Sequence, residues 1–61
     1  MENIIVTLAR RAAMPGVDLE LLAATIIEQR GKWIAKEVFG EICARGLLSH
    51  RDKGIFYKAI S

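Results

Sequence analysis

The chain has 61 residues, 52% of them hydrophobic, and nine basic against seven acidic side chains give a net charge of +2. That length holds one domain at most, and a domain of about 60 residues buries only about 60% of the surface its unfolded chain exposes, so the core is small. The apolar fraction excludes a disordered chain, the mild charge excess does not define a partner by itself, and charged residues from Arg10 to Glu28 interrupt each apolar run before the roughly 18 residues that a membrane-spanning helix needs.

The first predicted element is a helix over about residues 3–14. Ile4, Ile5, Leu8, Ala9 and Ala12 recur on one face at helical spacing, with Asn3, Thr7, Arg10 and Arg11 opposite. Pro15 and Gly16 end it, because proline lacks an N–H and disfavours the α conformation in the residue before it. A second helix is expected over 18–30. Asp18 is its N-cap, Val17 and Leu22 can close a hydrophobic staple over the first turn, and Leu19, Leu22, Ala23, Ile26 and Ile27 form the inward stripe. Gly31 is the stop, with Arg30 complementing the negative helix end.

A third helix is predicted over 32–45, stopped by Gly46, with Ile34, Ala35, Val38, Phe39, Ile42 and Cys43 turned inward. The single cysteine cannot build an internal disulfide, and its place in this stripe reads as a buried small hydrophobe. The opposite face carries Trp33, Lys36, Glu37, Gly40, Glu41 and Ala44, and Glu41 can pair with Arg45 one turn on. The last element is predicted as a β-hairpin over about 47–60. Asp52 and Gly54 favour a tight turn in Arg51-Asp52-Lys53-Gly54, and Ile55, Phe56 and Tyr57 prefer strands.

Three helices followed by a hairpin resemble the winged-helix superfamily of DNA-binding domains. The residues that carry the resemblance are Phe39 and Ile42, seven and four positions before Gly46, then Leu47-Leu48 and a glycine-containing hairpin that ends in Phe56-Tyr57-Lys58-Ala59-Ile60. It implies one α+β domain over 1–61, a three-helix bundle with a C-terminal two-stranded hairpin. It also implies that helix 32–45 is the recognition element, that 50–54 is the wing, and that double-stranded DNA is the ligand. The function expected on this basis is a small transcriptional regulator acting as a homodimer. One departure is plain: only Gly31 separates the second and third helices, where a helix-turn-helix usually has three or four turn residues.

On this expectation Lys32 and Lys36 reach phosphates or base edges. His50, Arg51 and Lys53 contact the DNA from the hairpin tip, and Arg10 and Arg11 add flanking phosphate contacts. A second reading comes from the exposed side of helix 32–45. Trp33, Gly40 and Ala44 lie along one strip bordered by Glu37 and Glu41, and Leu21 adds exposed apolar surface on the second helix. An aromatic beside small residues is what a protein interface offers, so an adaptor or inhibitor docking on a larger protein of the transcription or replication machinery is the alternative. Glycine in mid-helix costs roughly 1 kcal/mol against alanine, so something, a neighbouring helix or a partner chain, is expected to approach Gly40.

Enzymatic activity is not expected. His50 is the lone histidine and Cys43 the lone cysteine, which leaves no metal-ligand spacing, and the five glycines are dispersed and form no phosphate loop. Neither a metal nor a cofactor is therefore anticipated. Met-Glu-Asn at the start lacks the basic flank of a secretory signal, and the expected compartment is the cytoplasm.

Overall fold

The computed structural model describes residues 3–61, which form four helices: α1 (Ile4–Ala12), α2 (Leu19–Arg30), α3 (Lys32–Arg45) and α4 (His50–Ile60). The helix boundaries follow from local chemistry. Asn3 caps α1, its Oδ1 accepting the Ile5 N–H at 2.7 Å, and Asp18 caps α2 by accepting the Leu21 N–H at 3.0 Å. Gly31 alone joins α2 to α3. Its φ of 92° is one that side-chain-bearing residues rarely adopt, which lets the chain leave one helix and enter the next within a single residue. At the far end of α3, Gly46 takes φ 62°, its N–H donates to the Cys43 carbonyl and the Leu47 N–H donates to the Ile42 carbonyl, the Schellman arrangement.

The expected hairpin over 47–60 is absent, and with it the α+β class and the wing at 50–54. The described residues contain helices and no strand. Ser49 explains the outcome: its Oγ accepts the Asp52 N–H at 3.2 Å, capping α4 and placing the Asp52 carboxylate in the first turn, where it complements the helix dipole. Phe56 and Ile60, four residues apart, then fall on one helical face and are both buried. The strand preference of Ile55-Phe56-Tyr57 is a weak bias, and burial of that face outweighs it. The resemblance to winged-helix domains therefore fails in its defining part, and the fold is all-α.

The central helix is α3, which packs on α1, α2 and α4, while α2 also packs on α4. Leu8, Ala9 and Ala12 of α1 meet Ala23 and Ile26 of α2, Ala35, Val38 and Ile42 of α3, and Phe56 and Ile60 of α4 in one buried cluster with no buried polar residue. Fully buried alanines on the first three helices keep the axes close together. Phe56, Ile42 and Val38 are the largest side chains completely removed from solvent, and the Phe56 ring stacks on Phe39 at 6.2 Å between centroids, 8° from parallel. Cys43 departs from the expected stripe. It follows Ile42 by one residue, about 100° further round the helix, and is exposed as a free thiol.

Truncating Phe56 should be close to unfolding. Phe56→Ala is expected to cost about 3–5 kcal/mol in a chain whose whole stability, at about 0.05–0.15 kcal/mol per residue, is of the same order. Ser49→Ala is expected to cost about 1 kcal/mol through loss of the cap. Urea unfolding followed by far-ultraviolet circular dichroism measures both, and a Ser49→Ala chain as stable as the parent would contradict the capped helix.

Candidate functional site

Packing α4 beside α3 leaves a groove between them, and its floor is aromatic. Phe39 of α3 is half-buried beneath Tyr57 of α4, with ring centroids 5.2 Å apart and planes tilted by 48°. On one side of this pair lies a depression lined by Phe39, Cys43, His50, Lys53, Gly54 and Tyr57. On the other side, Lys32 and Lys36 line a second depression with the same two rings and with Ile60 and Ser61. Neither depression has an acidic side chain among its lining residues. A third, lined by Trp33, Lys36, Glu37 and Gly40, adjoins the second through Lys36.

The electrostatics of α3 follow from its wheel. Lys32, Lys36 and Cys43 fall within about 40° of one another and next to Phe39, on the edge facing α4, whereas Glu37, Ala44 and Glu41 occupy the far edge. Glu41 is held there by an ion pair with Arg45, which is largely exposed and so contributes at most a fraction of a kcal/mol. The acidic border that Glu37 and Glu41 form is thus turned away from the groove. On α4 the exposed half carries His50, Arg51, Gly54, Tyr57 and Lys58, with Asp52 turned partly inward.

Three lysines and a histidine therefore converge: Lys32 and Lys36 from α3, His50 and Lys53 from α4. Arg51 is exposed on the outer face of α4, one helical step from His50, and does not line the groove. Arg10 and Arg11 belong to α1 and line neither depression; Arg11 instead borders a separate hollow with Val17, Asp18, Leu21, Leu22 and Thr25. Lys58, exposed on α4, faces Glu20 of α2 across a further hollow. Of the apolar candidates, Trp33 and Gly40 share one depression, Ala44 is exposed on the same helix, and Leu21 lies on the Arg11 side.

Sequence reasoning missed Tyr57, Phe39, Gly54 and Cys43 as members of this surface. Tyr57 is 57% exposed and Trp33 is 74% exposed, so both rings are open to a ligand. The neighbouring helix expected against Gly40 is not there: a Cβ built on Gly40 or on Gly54 meets nothing within 4 Å. Among the described residues no group of three or more His, Cys, Asp or Glu is placed to hold a metal ion, and no helix is long and apolar enough to cross a membrane. Comparison of the chain with protein-family models, with curated proteins and with solved structures finds no match in any of the three.

Both helical glycines forgo stability with no internal packing in return. Gly40→Ala and Gly54→Ala are each expected to raise stability by about 0.5–1 kcal/mol, because alanine loses less backbone entropy in a helix and has room here. Thermal melts of the two variants measure this; a lower midpoint for either would mean that the position is closed by packing.

Proposed function

We propose that this protein binds nucleic acid through the α3–α4 groove. The observation that carries the reading is the gathering of three lysines, Lys32, Lys36 and Lys53, with His50, from two helices, around an aromatic floor with no acidic side chain in its lining. Cations that line a concavity face a partner together and release counterions together when a polyphosphate enters, whereas single exposed lysines do not. Arg51, on the outer face of α4, adds positive charge to that helix outside the groove. These contacts position a phosphate backbone and carry no sequence information by themselves. The reading keeps the ligand class expected from the sequence and moves its seat from a recognition helix with a wing to the seam between two helices.

A second reading rests on Trp33. An indole 74% exposed beside an open Gly40 position is also what a protein-docking strip would offer. Ala44 continues that strip, and Glu37 on its border suits a protein partner better than a phosphate.

The test is binding of mixed-sequence oligonucleotides by fluorescence anisotropy across a salt series. With about three phosphates neutralised, log K should fall against log salt with a slope of roughly −2 to −3. Lys36→Glu combined with Lys53→Glu, one substitution on each wall, should abolish binding, while Arg11→Glu on the separate hollow should leave it within about twofold. Equal loss in the Arg11 variant would reduce the effect to overall charge. No binding at low salt would remove the reading in favour of the Trp33 strip.

A further inference from the structure

The three depressions along α3 and α4 form one continuous track. Trp33 and Lys36 line the first, Lys36, Lys32 and Tyr57 the second, and Tyr57, Lys53 and His50 the third, so that each adjoins the next through a shared residue. Along this line aromatic rings and cations alternate: indole, ammonium, phenol, ammonium. The two rings are the most exposed aromatics of the described residues, at 74% for Trp33 and 57% for Tyr57. Tyr57 is not loose, since Phe39 supports its ring from below at 5.2 Å. Glu37 is the lone acidic side chain lining the track, at its Trp33 end.

We infer that the track is a seat for single-stranded nucleic acid, with bases stacked on Trp33 and Tyr57 and the intervening phosphates held by Lys36, Lys32 and Lys53. The inference rests on the nucleic-acid reading above and narrows its ligand. The exposed rings decide against a duplex. The bases of a duplex stay paired and stacked on each other, out of reach of such rings. Here Trp33 and Tyr57 are open to solvent and stand among the lysines that line the track. A single strand can follow such a seam and turn its unstacked bases onto side chains. Alternation of rings with cations matches the repeat of base and phosphate along one strand. Two rings offer stacking for two bases.

The purified 61-residue chain is titrated against a labelled thymidine oligonucleotide and against a mixed-sequence duplex of equal length, at low salt. The single strand should bind at least about tenfold more tightly, and it should quench the fluorescence of Trp33, the only tryptophan of the chain. Trp33→Ala and Tyr57→Ala should each weaken single-strand binding roughly 5- to 150-fold, the loss of one stacked base, while Tyr57→Phe, which keeps the ring, should bind within about twofold of the parent. Should Tyr57→Ala fail to fold, Trp33→Ala and the quenching carry the same test. Duplex binding as tight as single-strand binding, or single-strand binding indifferent to both rings but lost in Lys36→Glu with Lys53→Glu, overturns this inference and leaves the broader reading standing. Failure of both ligands to bind overturns the two together.

Discussion

The architecture turns on the insertion of Phe56 into the bundle. Of the eight side chains that the three helices joined by 13–18 and 31 bury, four are alanines, Ala9, Ala12, Ala23 and Ala35, which remove little apolar area from water. Phe56 is the largest fully buried side chain, and its ring stacks on Phe39. Together with Ile60 it draws α4 onto α3 and α2, so the fourth helix completes the core of the other three. The same contact sets the groove, because Tyr57, the residue after Phe56, must then emerge beside Phe39 on the α3 side.

That geometry divides the charge of α3 between two edges. A helix packed on three neighbours retains one free strip, and on α3 the strip has two unlike edges. The edge beside α4 holds Lys32 and Lys36, and the edge beyond Gly40 holds Glu37 and Glu41. Because α4 contributes His50 and Lys53 from its facing side, the basic edge is doubled while the acidic edge is left alone. A net charge of only +2 thus coexists with a locally cationic seam. Placement decides what a polyanion meets, and the total does not.

The first three helices were legible in the sequence because each level of signal agreed. Asp18 caps, Pro15-Gly16, Gly31 and Gly46 stop, and the apolar positions keep helical spacing between them, although the Asn3 cap reads as part of the polar face. The last element was misread because two signals disagreed. Ile55-Phe56-Tyr57 favours strand and Asp52 with Gly54 favours a turn, while Ser49 followed by Asp52 three residues on, and Phe56 followed by Ile60 four residues on, favour a capped helix. Weight belonged to the cap and the burial spacing. The lysines, His50 and Trp33 could be named from residue type, but their grouping could not, since it depends on which face of α4 is buried. Tyr57 was missed for that reason: as a strand residue its side was undetermined, and as a helical residue after Phe56 it can only flank the core.

Gly31 carries an implication for how copies of this chain can associate. With one residue between them, α2 and α3 have no slack, and separating them would require unwinding a turn of one or the other. The 46–49 segment is a longer strap, four residues ended by a glycine and a cap at its two sides, and 13–18 is longer still at six. Exchange of an arm between two molecules would therefore proceed by extending one of these two straps and trading α4 or α1, and not by parting α2 from α3. A pair that traded α4 would rebuild each seam from two polypeptides, with the phenylalanine of one seated in the bundle of the other.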